Sequence, residues 1–472
     1  MNNGRIDEYL LCKDYKRVQL DFNTIQRDPE NPKDDYGCGL YPKLLSHKVG
    51  SSYVYKISKK YFFKRNQQDG NGLASDTIIS LHHYNKKFNA LYGSLDDVAE
   101  TACYLLSKRM INPKTGEKLV DVAEYALAYY DDENDIRQRG CITTNVCTEP
   151  DSQLFSMADI LQRVGSTGNT INVYMESIKK YCELNKYECD FESVRKNLIK
   201  NSYFCWKVAN SDNHKNNISL ILNKGENGKF VLSVAPLIDN GSAYELSAPY
   251  YIQDAQGNIM PRFLKILNDP EYSTVNDEGN REFAFAVYPH MHTALHLDAD
   301  SLLLTNNGLA QGKTFAYEYC LASEMLENPE LFYEIAEIEK QFDLESMQKE
   351  FDETYGTAAY DNKFNWPPLL KEYMKETNDC KSRTLAFIVA DYYLFAAYTT
   401  CFESVDREKP TNLYNAFRDA FLSAPLLDSK EAYDELFVAV AKSLGYEVDK
   451  SKLAGLKFKK EPEMKKPENQ PN

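Results

Sequence analysis

The chain has no Cys-x-x-Cys pair, and its eleven cysteines, odd in number and scattered, fit free thiols in a reducing compartment better than a disulfide framework. Positive charge is in deficit: 55 Lys and Arg against 70 Asp and Glu leave a net charge of -15. That balance argues against broad affinity for phosphate backbones or anionic lipid, so neither direct nucleic-acid binding nor membrane association is expected. The start of the sequence, "MNNGRIDEYLLCKDY", lacks the uninterrupted apolar core of a signal peptide. A cytoplasmic location follows as the expectation. The most apolar run, Leu385 to Phe402, is interrupted by Asp391, tyrosines and two threonines, which predicts a buried helix rather than a membrane span.

What is present is the material of a folded protein. The 472 residues are 43% hydrophobic and 26% charged, with 34 tyrosines, which sets the chain apart from disordered sequences. At about 100 to 200 residues per domain the length allows two or three lobes with a sizeable core. No internal repeat is found.

Residues 1–45 carry short strand-like patches ("EYLLCKDYKRVQLDF") and then a Pro- and Asp-rich loop; no chemistry is assigned to them. In "VGSSYVYKISKKYFFKR" the period becomes two on either side of "SKK", which predicts a hairpin. "SLDDVAETACYLLSKRM" opens with a capping-box pattern, Ser94 to Asp97, and spaces Val98, Ala102, Leu105 and Leu106 as on a helix. Alternation resumes in "VDVAEYALAYY" and "RGCITTNV", so residues 46–150 read as strands with one helix inserted. Beyond them, "LFSMADILQRV", "TINVYMESIKKYCEL", "FESVRKNLIKNSYFCWKVA" and four later segments carry helical stripes, so residues 151–456 read as mainly helical. Residues 457–472 are polar and Pro-rich and read as a disordered tail.

One stretch breaks the helical pattern. "SDNHKNNISLIL" packs an acid, a histidine, a lysine and three asparagines against an apolar strand. Asp and Asn favour turns through their own backbones, which accounts for many such clusters, so spacing has to decide. Asn217 stands five residues after Asp212, the D-x-x-x-x-N spacing of a kinase catalytic loop, in which the Asp meets the substrate hydroxyl and the Asn ligates Mg²⁺. The strand "ISLIL", the turn "NKGENGK" and the strand "FVLSV" then lead to "APLIDNGSA". Antiparallel partners lie about 5 Å apart, so this hairpin brings Asn217, at its start, and Asp239, just past its end, to one rim. An amide and a carboxylate there suit Mg²⁺, which takes hard oxygen ligands and completes its shell with phosphate and water.

Together the two segments resemble the catalytic and metal-binding segments of HipA-like serine/threonine kinases, matching at Asp212, His214, Asn217, Ser219, Asp239 and Ser242. Phosphatidylinositol kinases have a similar D-x-H-x-x-N loop. The resemblance implies an α+β, bilobal protein kinase-like fold, with an ATP-binding lobe over residues 46–150 and a catalytic lobe over 151–456. It implies transfer of the ATP γ-phosphoryl group to a serine or threonine hydroxyl of a protein, with Asp212 as the catalytic carboxylate and Asn217 and Asp239 as the Mg²⁺ ligands. HipA proteins are toxins restrained by a DNA-binding antitoxin, so a small antitoxin-like partner is implied as well. A lipid or small-molecule kinase would keep the same ATP and Mg²⁺ residues, and a pseudokinase binding module would keep only the fold.

An ATP-binding lobe needs a phosphate loop, a lysine and a glutamate. Gly50, Ser51 and Ser52 offer small residues at a turn, far from a G-x-G-x-x-G pattern but similar to the glycine-poor loop of HipA-like kinases. The resemblance also implies autophosphorylation of a serine in this region, which would repel ATP phosphates. Lys64 follows the hairpin turn on the second strand, where the phosphate-binding lysine is expected. Its expected partner is Glu100, the sole glutamate between Glu30 and Glu117. The other concentration of chemistry, His290, His292 and His296, has no Cys or acid at ligand spacing and is read as ordinary surface or core histidine. His214 is expected to shape the loop by a hydrogen bond rather than to act on substrate.

If Asp212 is the general base, Asp212→Asn lowers phosphoryl transfer by about 10² to 10⁴ while ATP affinity barely changes. Asn forms turns equally well, so near wild-type turnover in a steady-state assay would remove Asp212 from the mechanism.

Overall fold

The computed structural model describes residues 11–12, 17–19, 53–56, 61–65, 96–131, 137–147, 149, 151–208, 210, 213–241, 243, 251–253, 259–261, 273–275, 281–283, 319–355, 385–401, 420, 429–454 and 456. Strands form where aromatic and β-branched residues alternate. β1 (Leu11–Cys12) and β2 (Arg17–Gln19) pair antiparallel, as do β3 (Tyr53–Lys56) and β4 (Tyr61–Arg65), the hairpin expected around "SKK". Helix α1 (Asp96–Ser107) follows, and then β5 (Tyr125–Asp131) and β6 (Arg137–Thr144).

These six strands form one sheet in the order β1-β2-β5-β6-β4-β3. All neighbours are antiparallel except β2 and β5, where Val18 lies beside Ala128. The first residues of the chain that the structure describes therefore extend the same sheet that carries Lys64.

Helix α1 is covered on more than one side. It packs on β5 and β6, and against a later helix, α6, introduced below. Every residue from Asp97 to Cys103 is consequently buried, Asp97, Glu100 and Thr101 included. A helix with one wet face would not bury three polar side chains in five positions.

β7 (Gln153–Ser156) leads directly into α2 (Met157–Val164). The sequence pattern places residues 154–156 in the helix; they are extended instead, because Ser156 is the N-cap of a capping box with Asp159 and so has β geometry. α3 (Ile171–Asn185) and α4 (Phe191–Lys207) are capped by Thr170 and Asp190. β8 (Ser219–Lys224) and β9 (Phe230–Val234) form the expected hairpin and, with β7, a three-stranded antiparallel sheet. Two small hairpins, β10 (Tyr251–Gln253) with β11 (Ile259–Pro261) and β12 (Ser273–Val275) with β13 (Arg281–Phe283), were not expected from the sequence.

Residues 319–327 are helical, followed by α5 (Pro329–Glu339), α6 (Leu344–Tyr355), α7 (Leu385–Cys401), α8 (Lys430–Ser443) and α9 (Lys450–Leu453). The architecture is thus α+β. Among the described residues no helix is long and apolar enough to cross a membrane, and Cys103, Cys141, Cys147, Cys182, Cys189, Cys205, Cys320 and Cys401 are unbridged. One hydrophobic cluster runs from Phe63 and Leu106 through Tyr203 and Phe351 to Phe437.

Helix α4 anchors the later helices by charge. Arg195 donates to Glu324 through two nitrogens, Lys200 to Glu334 at 2.5 Å and Lys207 to Glu339 at 2.9 Å. Lys207 is buried over the Phe342 ring, and Glu339 also accepts from the Tyr203 hydroxyl and the Leu385 N–H. Removing one partner of such a pair strands the other charge, at a cost of about 3–5 kcal/mol. Glu339→Gln is therefore expected to lower the urea-unfolding free energy by about that amount; a loss below about 1 kcal/mol, the size of an exposed pair, would show that Lys207 is not desolvated.

Candidate active site

Three separate parts of the fold meet at Lys64. It stands near the end of β4, in register with Cys141 of β6 and Val54 of β3. Its Nζ donates to Glu100 Oε1 of α1 at 2.6 Å and to Asp239 Oδ1 at 2.5 Å. Side-chain exposure is 13% for Lys64, 0% for Glu100 and 41% for Asp239. The ammonium therefore lies at the boundary between a dry interior and an open side, with one carboxylate on each.

The electrostatics follow from that placement. Burial disfavours the Lys64 ammonium, but the Asp239 and Glu100 carboxylates outweigh it and hold Lys64 well above lysine's ordinary value. Burial pushes the Glu100 carboxyl up, opposed by Lys64 and by the hydrogen bond from the Asn240 backbone. Lys64 stays charged over the whole physiological range. An ammonium has three donors; two are used, so a further acceptor arriving from the Asp239 side can be bound.

Asp239 is brought there by backbone pairing. Leu237 donates its N–H to Asp121 at 2.7 Å and accepts from Ala123 at 2.9 Å, a parallel bridge that ties the segment after β9 to the approach to β5. Asp239 itself has φ 62, in the left-handed region. Asp tolerates this region better than most residues because its short polar side chain bonds locally. The Tyr125 hydroxyl, on β5, accepts from the Asp239 N–H at 3.4 Å. The turn puts Asn240 inward: it is fully buried, and its N–H donates to Glu100 Oε2 at 2.8 Å.

The loop before β8 is held by His214. Its carbonyl accepts from the N–H groups of Asn217 and Ile218, at 2.8 and 3.0 Å, and its Nδ1 accepts from Asn216 N–H at 3.1 Å. His214 is buried and shapes the turn, the role its position suggests. Asn217 is half-buried at that turn, two residues before Ser219, whose carbonyl accepts from Ala235 N–H at 3.0 Å. Asn217 and Asp239 thus flank the same end of the β8–β9 hairpin.

Lys64, Glu100 and Asp239 are in one hydrogen-bonded cluster, with Asn217 at the hairpin end from which Asp239 departs. Asp212, Ser242, Gly50, Ser51, Ser52 and the three histidines of "PHMHTALH" lie outside the described residues. Asn210, Asn240 and Tyr125 also belong to the cluster and are not among the candidates read from the sequence. Among the described residues no group of three or more His, Cys, Asp or Glu surrounds a common point. The donors at the hairpin end, one partly exposed carboxylate and one amide, have the hard-oxygen chemistry of a site completed by phosphate and water.

No known protein family matches the sequence, and no curated protein does. Among solved structures the chain is similar to the Helicobacter pylori proinflammatory kinase CtkA, at 13% identity and a TM-score of 0.31, over 73% of this chain and 97% of that one. At that level the backbones superpose too loosely to establish a common fold, and the chemistry of the site rests on its own residues.

Lys64→Met leaves Glu100 buried without its cation and should destabilise by about 3–5 kcal/mol, while Lys64→Met with Glu100→Leu should recover part of the loss, less about 1–3 kcal/mol for the Asn240 N–H left without its acceptor. Because the folded-state value of Lys64 is raised, its contribution is complete below lysine's unfolded value of about 10.4 and fades as pH rises through the folded value. The gap between wild type and Lys64→Met, measured by denaturant titration, should therefore persist from pH 7 to about 10 and shrink only above it. A double variant no more stable than Lys64→Met would refute the pairing.

Proposed function

We propose that this chain is a bilobal kinase that uses ATP and Mg²⁺ to phosphorylate a serine or threonine hydroxyl of a protein. The observation that carries the reading is Lys64 bridging a buried helix carboxylate, Glu100, and a partly exposed loop carboxylate, Asp239. Phosphoryl transfer between oxygen nucleophiles is governed by positioning and charge neutralisation, and a strand lysine paired with a helix glutamate beside a metal-binding Asp is the arrangement it uses in protein kinases.

Each residue then has a task. Lys64 steadies the nucleotide phosphates with its remaining donor, and Glu100 fixes the ammonium in place. Asp239 and Asn217 would hold Mg²⁺, which supplies neutralisation of phosphate charge when bound. The backbone at Gly50, Ser51 and Ser52 would cover the phosphates, and Asp212 would receive the hydroxyl proton of the acceptor. The choice of a protein acceptor, a cytoplasmic setting and a small antitoxin-like partner rest on the resemblance to HipA-like kinases at Asp212, His214, Asn217, Ser219, Asp239 and Ser242. Incubation with ATP labelled on the γ-phosphate and panels of proteins, inositol lipids and small alcohols tests the acceptor class. Label on lipid or small molecule alone would move the reading to those kinases, and label on nothing would leave a nucleotide-binding module.

The left-handed backbone at Asp239 selects the substitution that tests the metal. Asn tolerates that conformation as Asp does, so Asp239→Asn removes the charge and spares the fold. Its affinity for ATP in the presence of Mg²⁺ should fall by at least about tenfold, to the level measured with EDTA, with a loss of stability no larger than that of a partly exposed ion pair, about 1 kcal/mol, since Glu100 still meets the ammonium. Equal Mg²⁺-dependent affinity in the two proteins, by calorimetry, would sink the assignment.

A further inference from the structure

Asn210, just beyond the end of α4, and Asn240, the residue after Asp239, touch through their side chains. Asn210 Nδ2 donates to Asn240 Oδ1 at 3.2 Å, between two buried side chains. Asn210 is itself fixed to the end of α4, its N–H donating to the Cys205 carbonyl at 2.8 Å. From Asn240 the network continues by its backbone N–H to Glu100 Oε2, whose other oxygen holds Lys64. The Asn240 carbonyl also accepts from Ala243 N–H at 3.0 Å, closing the turn after Asp239.

Asn240 is an expensive residue for this place. It is fully buried, and its Nδ2 has no hydrogen-bond partner. An unpaired buried donor costs about 1–3 kcal/mol, which an apolar residue of the same size would avoid. A turn alone asks only for the backbone, so the side chain has another use: the Oδ1 bond to Asn210.

We propose that Asn240 is a positioning residue, the joint through which the loop beginning at Asn210 sets the orientation of Asp239 and of Glu100. Held by Asn210, the Asn240 peptide keeps its N–H on Glu100 and keeps Asp239 in the left-handed turn that aims its carboxylate at Lys64. This rests on the kinase reading for its functional consequence, but the joint itself is a property of the protein without ligand.

Two measurements on the full chain test it. The first is amide hydrogen exchange, with no ligand present: Asn210→Ala should speed exchange of the Asn240 N–H at least about tenfold while Ala102 and Cys103, in the same helix as Glu100, are unchanged. Unchanged exchange at Asn240 overturns the joint. The second is calorimetric binding of a non-hydrolysable ATP analogue with Mg²⁺ and with EDTA, on wild type, Asn210→Ala, Asn240→Leu and the double variant. Each single variant should lose about tenfold of the Mg²⁺-dependent gain in affinity, and the double variant should lose no more than either single, as for residues acting as one unit. A purely structural role would lower the melting temperature and leave the Mg²⁺ gain intact, which overturns the proposal; so would losses that add. Should Asn240→Leu fail to fold, the Asn210→Ala comparison alone decides. Wild type that binds no nucleotide overturns the kinase reading and with it the functional half of this proposal, and the exchange measurement then decides the joint by itself.

Discussion

An ammonium group that is nearly out of water has to be met by negative charge, and at Lys64 this single requirement draws three distant parts of the chain together. The lysine comes from the second strand of a hairpin, one carboxylate from a helix and the other from a loop after a second hairpin. Desolvating a charge without a partner costs far more than folding leaves to spare, so the strand, the helix and the loop are interdependent. Much of the surrounding structure serves this meeting. The bridge between residues 121–123 and Leu237 delivers the loop, and the packing of α1 between the sheet and α6 delivers the helix carboxylate. Arg109 strengthens the second contact by donating to its own helix end, at the Leu105 carbonyl, and pairing with Glu350 of α6.

The same place concentrates local unfavourable terms. Asp239 is in a left-handed conformation, and Asn240 buries a donor with nothing to receive it. Either feature is unfavourable by about 1–3 kcal/mol and survives only where the surroundings over-determine it. Those surroundings are ordinary: an apolar cluster continuous from Phe63 to Phe437, and helices started by Ser156, Thr170 and Asp190 in cap positions. Regular packing supplies the stability; among the described residues the other non-glycine in the left-handed region, Lys186, caps the exposed end of α3, so Asp239 is the one within the polar network.

How much of this can be read from the sequence depends on the range of the interaction that decides it. The β3–β4 and β8–β9 hairpins are legible because their strands are separated only by a turn and alternate cleanly. Helix α1 is legible from the spacing of Val98, Ala102, Leu105 and Leu106, but the direction of Glu100 is not, since neighbours on two sides bury polar and apolar positions alike. Helix α6 escapes notice because only Leu344, Met347, Phe351 and Tyr355 are buried, one residue per turn in an otherwise polar segment. The D-x-x-x-x-N spacing and the "IDNG" turn are visible as motifs. The bond between Asn210 and Asn240 is not, because nothing local separates an asparagine that makes a turn from one that also makes a tertiary contact.

The partners of Lys64 lie 36 and 175 residues further along the chain. On the ribosome, where synthesis runs at about 5–20 residues per second, the first ion pair can close within seconds of Lys64, whereas the second must wait roughly 10–35 s for Asp239 to be made. A nascent chain therefore spends a defined interval with its sheet and helix able to assemble and its loop carboxylate missing. A product that stops short of Asp239 therefore keeps the Lys64–Glu100 pair but not the partly exposed carboxylate, and carries at the open side of the cluster one negative charge fewer than the finished chain.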